Sequence, residues 1–148
     1  MSAQENESVV RASIEAYNRR DWAMALECCT EDSNIVDVPT GQTYYGREGW
    51  MQFLQNAVNA FPDSTLTLTN VVANDSFVAT QCIFRGTHTG ALTMPQGELA
   101  PTGRVVEVPA AGFFPMVNGK IAEYRRYSDV LAFLKQIGLT ANVEHEAA

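Results

Sequence analysis

An aspartate between a predicted strand and a predicted helix is the first candidate for acid–base chemistry. Asp129 follows the strand end Tyr127-Ser128 and directly precedes the apolar run 130–134. A carboxyl group held in an apolar cavity can take a proton from carbon or oxygen and return it near neutral pH, because desolvation raises its pKa. Aspartate is also a preferred helix N-cap, where its carboxylate accepts backbone N–H bonds. The pattern alone favours the cap, and the catalytic interpretation stays open beside it.

Two further polar residues stand in surroundings that suit a ligand. His88 lies in the segment Gly-Thr-His-Thr-Gly, whose glycines let the backbone turn or approach a ligand, so it either donates to a substrate carbonyl or bonds the nearby threonines. Asp37 is a carboxylate in the apolar segment Ile-Val-Asp-Val-Pro, and it either pairs with Asp129, partners an arginine or faces solvent. Arg125 and Arg126 are adjacent, so strand alternation sends one toward a pocket and the other toward water.

Aromatic side chains supply the apolar surface that a small-molecule pocket needs. At helical or strand spacing they either line a cavity for a flat hydrophobic ligand or fill a plain core. The candidate substrate-binding residues, beside Asp37, are Tyr17, Trp50, Phe53, Phe113, Phe114 and Tyr127. We expect the partner to be a small hydrophobic molecule.

Several other chemistries lack their motifs. The sequence has no Gly-x-Gly-x-x-Gly, no Gly-x-x-x-x-Gly-Lys-Ser/Thr, no Gly-x-Ser-x-Gly and no His-Glu-x-x-His, which argues against nucleotide, serine-elbow and zinc sites. Its two histidines, His88 and His145, show no metal-ligand spacing. We therefore expect neither a metal nor a cofactor.

Charge and composition exclude other partners. Ten Lys and Arg against seventeen Asp and Glu give a net charge of -7, which repels phosphate backbones and anionic lipid. The N-terminus is polar and acidic, and no apolar run reaches a spanning length. Three cysteines without a Cys-x-x-Cys pair are typical of a reducing compartment. We expect no nucleic acid, no membrane and a cytoplasmic location.

The elements that must position these residues are segregated along the chain. Periodicity predicts helices over about 5–18, 22–29, 47–61 and 130–137, and strands over 34–38, 65–73, 77–85, 105–117 and 120–128. Residues 30–33 are predicted as a turn and 86–103 as a long connection. This order predicts one α+β domain over 1–148, with a core over about 5–139 and a flexible tail over 140–148.

An ordered series of short motifs resembles one enzyme family. The motifs are Phe61-Pro-Asp63, Gly86-Thr-His-Thr-Gly90, Pro101-Thr-Gly-Arg104, Asn118-Gly-Lys-Ile121, Tyr127-Ser-Asp129 and Leu134-Lys-Gln-Ile-Gly-Leu139. Their order resembles the SnoaL-like polyketide cyclases, in the nuclear transport factor 2-like superfamily, over residues 5 to 139. The resemblance implies a cone-shaped α+β barrel, in which N-terminal helices pack on the concave face of a curved, mostly antiparallel sheet and enclose an apolar pocket.

The resemblance also implies a reaction and two residues for it. Such cyclases close a ring of an aromatic polyketide ester by intramolecular aldol condensation without a cofactor. Asp129 stands at the family's acid–base aspartate, which would remove a proton α to an ester carbonyl and then protonate the carbonyl oxygen that becomes a hydroxyl. His88 stands at the pocket histidine, which would hydrogen-bond the substrate and help to stabilise enolate charge.

Departures from the family pattern lie where a substrate would be chosen. Ser128 and Arg125 stand where the family usually has an aromatic residue, and Gly112 replaces an aspartate. Val36-Asp-Val38 stands where the family often has His-Asp-Pro.

Three alternatives remain beside the cyclase. A ketosteroid-type isomerase would need its carboxylate at Val38, just before Pro39, which counts against it. An epoxide hydrolase would need Asp37, Asp129 and one of the two adjacent arginines in one cavity. A non-catalytic ligand-binding module is favoured if Asp129 only caps its helix. We expect a homodimer formed through the open face of the sheet, with contributions from strand residues 64–70 and a tetramer as the alternative.

Overall fold

A computed structural model describes residues 2–139, so the predicted flexible tail at 140–148 lies outside the described residues. The helices are α1 (Ala3–Arg19), α2 (Trp22–Glu27), α3 (Gly46–Ala60) and α4 (Val130–Gln136). The strands are β1 (Cys29–Asp37), β2 (Gln42–Tyr44), β3 (Thr65–Ala73), β4 (Phe77–Thr87), β5 (Leu92–Met94), β6 (Gly97–Leu99), β7 (Val105–Val117) and β8 (Lys120–Ser128). None of these helices is both long and apolar enough to cross a membrane.

Local capping explains where the helices begin. The Ser2 hydroxyl accepts the Glu5 N–H at the start of α1, and the Asp21 carboxylate accepts the Met24 N–H at the start of α2. α3 has no capping side chain of its own, and instead the Gly46 N–H donates to the side-chain oxygen of Asn34 in β1 at 3.1 Å. The first turn of α3 is therefore tied to the strand that it packs against.

All the strands except β5 and β6 form one curved, six-stranded sheet, in the order β2-β1-β8-β7-β4-β3. All neighbours are antiparallel except β1 and β8, which run parallel. α1 packs on β3 and β4, and α3 packs on β1. The predicted α+β fold with a curved, mostly antiparallel sheet is confirmed, and the sheet stays open between its edge strands β2 and β3 instead of closing into a barrel.

The turn predicted at residues 30–33 is wrong, because these residues lie inside β1. Their polar composition resembles a turn, but Ser33 is fully buried and its hydroxyl accepts the indole N–H of Trp50 at 3.1 Å. The pairing of β1 with β8 shifts register between Cys29 and Asn34, and three of the intervening residues, Thr30, Glu31 and Asp32, are partly or fully exposed. A strand with an irregular, half-solvated first half lacks the clean alternation that sequence reasoning relies on.

The connection predicted over 86–103 contains a small hairpin, β5 with β6, that pairs only with itself. Main-chain hydrogen bonds hold its base. The Thr89 and Gly90 N–H groups donate to the Ala60 carbonyl at 3.2 and 3.1 Å, and the Gly103 N–H donates to the His88 carbonyl at 2.8 Å. The hairpin therefore projects from a fixed platform at the end of α3.

Within residues 2–139, two clusters of buried side chains make up the core. The larger lies between α1, α2, α3 and the sheet, and its members include Val10, Ile35 and Ile121. The smaller surrounds Phe61 and Ile137 at the C-terminal end of α3 and beside α4. Residues from the borders of both clusters line the cavity described below.

A substitution at Gly90 tests how tightly the hairpin base is held. A Cβ at this position would collide with the carbonyl oxygen of Asn59 in α3. We expect Gly90→Ala to lower the free energy of unfolding by about 1–3 kcal/mol, the usual range for overpacking, in urea denaturation. The control is Ala91→Ser at the exposed neighbour, which should change it by less than about 0.5 kcal/mol. Equal stability of Gly90→Ala and wild type would show that the base can move away from α3.

Candidate active site

A cavity of about 400 Å³ lies between α3, α4, the sheet and the small hairpin. This volume is within the usual range for small-molecule sites. Five of its lining residues belong to the hairpin region, namely Leu92, Thr93, Met94, Pro95 and Gln96. The side-chain amide of Asn56 in α3 donates to the Thr93 carbonyl at 3.2 Å and so ties the hairpin across the cavity.

One end of the cavity is aromatic. The ring of Phe61 makes edge-on contacts with Phe84 at 5.4 Å and with Phe133 at 6.0 Å, and all three rings line the cavity. Val108 and Leu134 complete this apolar surface. Such a wall favours a flat hydrophobic ligand, since aromatic edges and faces bury large areas.

The other end of the cavity contains an ion pair. Arg126 Nη1 donates to Asp37 Oδ1 at 2.8 Å, and their side chains are only 26% and 8% exposed. The two residues are direct register partners, because β1 and β8 run side by side. The Arg126 guanidinium also lies 5.7 Å from the ring of Phe53, which lines the cavity beside it.

The turn after β1 holds the second carboxylate oxygen. The hydroxyl of Thr40 donates to Asp37 Oδ2 at 2.7 Å, and the Gly41 N–H donates to the Asp37 carbonyl at 2.9 Å. A carboxylate has about four acceptor positions, so the bonds from Arg126 and Thr40 leave room for a ligand proton. Asp37 is therefore both fixed and still able to accept.

Edge strand β2 adds two neutral polar groups to this end. The hydroxyl of Tyr44 donates to the side-chain oxygen of Gln42 at 2.8 Å, and both residues line the cavity. Burial raises the pKa of Tyr44, the Asp37 carboxylate raises it further, and the Arg126 charge opposes them. The phenol therefore stays neutral over the physiological pH range. No group of three or more His, Cys, Asp or Glu side chains within residues 2–139 is placed to hold a metal ion.

Comparison with known proteins identifies the family. A family model described as SnoaL-like polyketide cyclase matches residues 7–137. The chain belongs to this SnoaL-like family. The resemblance inferred from the ordered motifs is confirmed. A search of curated protein sequences finds no match.

Solved structures share the fold of this SnoaL-like protein. IdmH from Streptomyces antibioticus, described as a candidate polyketide cyclase, is 28% identical with a TM-score of 0.74, over 90% of this chain and 98% of IdmH. A candidate polyketide cyclase from Xanthomonas campestris pv. campestris is 26% identical with a TM-score of 0.75, over 92% and 98% of the two chains. A candidate ketosteroid isomerase from Kribbella flavida is 16% identical with a TM-score of 0.66, over 86% and 79%, and shows the fold alone.

Asp129 of the SnoaL-like chain caps α4. Its Oδ1 accepts the Ala132 N–H at 2.9 Å, as the cap interpretation expected. Asp129 is not among the residues that line the cavity; it borders an open groove of about 420 Å³ instead, with Tyr127, Pro109 and Ile83. Since Arg126 points into the cavity, strand alternation places Tyr127 on the outer face of the sheet.

His88 is fully buried beside the cavity wall. Its ring lies 5.3 Å from that of Phe61, and His88 itself is not among the lining residues. The Thr102 N–H donates to Nδ1 at 3.2 Å, which places the hydrogen of the neutral ring on Nε2. Within residues 2–139, Nε2 is buried without a hydrogen-bond partner of good geometry. The histidine thus joins the hairpin base to the 101–104 segment.

The predicted aromatic residues divide among the core, the cavity and the outer face of the sheet. Phe53 lines the cavity, as does Asp37. Three others lie in the core: Tyr17 bonds the Ser64 hydroxyl at 2.6 Å, Trp50 bonds Ser33, and Phe114 stacks on Tyr124 at 4.6 Å. Phe113 contacts Tyr127 at 5.7 Å on the outer face. The structure therefore brings Asp37 and Phe53 together and keeps Asp129, His88 and the core aromatics apart from them.

Sequence reasoning missed the turn and edge strand that complete the polar end. Thr40, Gln42 and Tyr44 were not singled out, and Arg126 was named only as half of an adjacent pair. One signal was present, since a threonine three residues after an aspartate in a Pro- and Gly-containing turn is typical of side chains that bond locally.

Protonation of His88 should weaken the fold. Burial lowers the pKa of His88 in the folded protein, and the Gly90 backbone opposes this shift only in part. In the unfolded chain a histidine titrates near about 6.5, so below that pH the unfolded state binds a proton that the folded state does not. The stability that the neutral His88 ring contributes is therefore fully present above about pH 6.5 and is lost as the pH falls.

The measurement compares wild type with His88→Gln, which cannot titrate, in urea denaturation at about pH 7.5 and about pH 5.5. We expect the stability advantage of wild type to be smaller at the lower pH, because only the unfolded chain takes up the proton readily there. An advantage that is the same at both pH values would show that the buried ring takes up a proton as readily as the unfolded one.

Proposed function

We propose that this protein is a cofactor-independent cyclase that closes a ring in a small hydrophobic carbonyl compound by intramolecular aldol condensation. The observation that carries the proposal is the Asp37–Arg126 pair, largely buried at the polar end of an aromatic cavity. Membership of the SnoaL-like family supports the reaction class, and so does the description of IdmH as a candidate polyketide cyclase.

The chemistry of this pair is acid–base chemistry. Asp37 takes a proton from the carbon α to a carbonyl group, and the electron pair of the broken C–H bond moves to the carbonyl oxygen as an enolate. The enolate carbon then attacks a second carbonyl of the same molecule and forms the new C–C bond. The resulting alkoxide takes the proton back from Asp37 and becomes a hydroxyl. No electron leaves or enters, so the sequence of steps balances without a redox partner.

Asp37 is better placed for this role than Asp129. Asp37 lines the cavity, and its carboxylate is oriented by Arg126 and Thr40. Asp129 lies outside the lining and binds the first turn of α4. The roles that the family resemblance implies for Asp129 and His88 stay predictions, and the experiment below tests the first of them.

The Asp37–Arg126 pair also supplies two of the three groups of an epoxide-hydrolase relay. Such a relay needs a second acid in the same cavity to complete the activation of water. Among the lining residues that the structure describes, Asp37 is the one carboxylate. The cyclase is therefore favoured over epoxide opening.

Proton exchange on a simple ketone tests Asp37 without the natural substrate. In D₂O, a base in the cavity should exchange the methyl hydrogens of 2-acetylnaphthalene for deuterium, which NMR follows directly. We expect Asp37→Asn to lower the protein-catalysed exchange rate by about a hundredfold, since general base catalysis contributes at least that much.

Asp129→Asn is the matched control, because asparagine caps a helix about as well as aspartate. It should leave the exchange rate within about twofold of wild type while Asp37→Asn abolishes most of it. The reverse pattern would place the base at Asp129. An equal loss of exchange rate in both variants would remove Asp37 from the proposed role. The absence of catalysed exchange by the wild-type protein would do the same.

We infer that two copies of this chain pair through the outer face of the sheet. Phe77, Phe113 and Tyr127 form a row of contacts there, with ring centroids 6.0 and 5.7 Å apart. Phe113 is 37% exposed and Tyr127 is 41% exposed, and an apolar groove lies beside them. An aromatic row on an uncovered sheet face is typical of an isologous interface.

Light scattering after size exclusion should give a mass of twice the 16.2 kDa chain. Phe113→Lys is expected to give the monomer mass, because it buries an unpaired charge in the interface. Met24→Lys, an exposed site on α2 away from this face, is the control and should remain dimeric. A wild-type monomer at micromolar concentration would contradict the pairing, and four times the chain mass would support the tetramer.

A further inference from the structure

Arg126 has more hydrogen-bond donors than the protein uses. A guanidinium carries five N–H groups in a rigid fork. Within residues 2–139, the Arg126 side chain makes one hydrogen bond, from Nη1 to Asp37. Its side chain is 26% exposed and lines the cavity, so the remaining donors are open to a ligand.

From this geometry we propose that Arg126 is a specificity-determining residue, whose unused N–H groups bind a planar pair of oxygens that share one negative charge. The inference rests on the proposed function, because it names the residue that selects that enzyme's substrate. Two ligand sources share this chemistry, namely the enolate of a β-dicarbonyl and an aryl carboxylate. Both present two oxygens in one plane, which matches the fork of a guanidinium.

The position of Arg126 is fixed before a ligand arrives. Asp37 holds Nη1 from one side, and the ring of Phe53 lies 5.7 Å from the guanidinium carbon. Thr40 in turn holds Asp37 through its second oxygen. A preorganised cation loses little conformational entropy when it binds, which favours selectivity.

The rest of the lining contains no other charge that would compete. Among the lining residues within 2–139, Arg126 is the one cation and Asp37 is the one anion. Gln42, Tyr44 and Asn56 are neutral, and the raised pKa of Tyr44 keeps its phenol so. The opposite end is formed by Phe61, Phe84 and Phe133 and takes the apolar body.

Proton transfer to Asp37 strengthens this selection. When Asp37 takes a proton from an acidic carbon, the negative charge moves from its carboxylate to the substrate oxygens. Arg126 is then the cation beside both groups, and its charge is no longer balanced by Asp37. The same arginine that orients the base thus favours the enolate that the base creates.

Calorimetry with matched probes tests the proposal on the intact protein. The probes are 2-naphthoate, the neutral ketone 2-acetylnaphthalene and the β-diketone 2-acetyl-1-tetralone. We expect 2-naphthoate to bind about tenfold tighter than the ketone, the effect of one charged hydrogen bond. If the diketone binds as its enolate, a red-shifted absorption band should appear at a pH where the free compound is un-ionised. The net charge of -7 disfavours non-specific binding of anions, so a measured preference can be assigned to the site.

Three variants assign the preference to the guanidinium. Arg126→Gln should abolish it, and Arg126→Lys, which keeps a charge beside Asp37, should retain part of it. Asp37→Asn should increase it, since the competing carboxylate is removed while the shape is kept. Arg125→Gln is the control on the same strand, because Arg125 pairs with Glu123 at 2.6 Å and points to the outer face.

The possible results separate this inference from the proposed function. Tight naphthoate binding supports the carboxylate source and an enolate band supports the β-dicarbonyl source. Equal affinity for naphthoate and ketone, or a preference that survives Arg126→Gln, would overturn the oxyanion proposal and leave the cyclase standing. Binding of none of the three probes would overturn both.

Discussion

The parallel pairing of β1 with β8 is the constraint on which the site depends. Among the described strands it is the one parallel contact in an otherwise antiparallel sheet, and it makes Asp37 and Arg126 direct neighbours although 89 positions separate them. A buried carboxylate is costly unless a partner compensates its charge. The Asp37–Arg126 ion pair therefore favours this register of β1 against β8, and the register in turn places both charges at the cavity. With β1 at this place, the turn at Thr40 and edge strand β2 close the polar end of the cavity.

Much of the fold could be predicted because the strands after the third helix have strong local signals. The strands expected at 65–73, 105–117 and 120–128 have those bounds: threonine alternates with leucine in the first, and Asn118-Gly119 marks a tight hairpin between the other two. The start of β1 could not be predicted, because a register shift hides its period. The β5–β6 hairpin could not either, since its strands are three residues long and are stabilised by contact with α3.

The candidate site was less visible in the sequence than the fold. The order of the motifs identified the family and therefore pointed to Asp129 and His88. Both residues also have a clear local pattern, since Asp129 lies between a strand and a helix and His88 lies in a segment bounded by glycines. Both have clear structural partners, the α4 N-terminus and Thr102. The polar end of the cavity is built instead from a pair that only tertiary structure brings together, Asp37 with Arg126. Strand alternation correctly separated the two arginines by face, but it could not say which partner the inner one would find.

The separate hairpin gives the fold a way to reshape its cavity without rebuilding its sheet. β5 and β6 bond to each other and not to the six-stranded sheet, and the chain enters and leaves them at a base held by main-chain bonds to Ala60 and His88. Lengthening such a loop costs little, since closure entropy grows only with the logarithm of its length. Insertions or deletions at 92–99 would reshape one wall of the cavity while the Asp37–Arg126 pair stays in register. The shape of this wall and the Asp37–Arg126 pair are therefore encoded in different parts of the chain and can be altered separately.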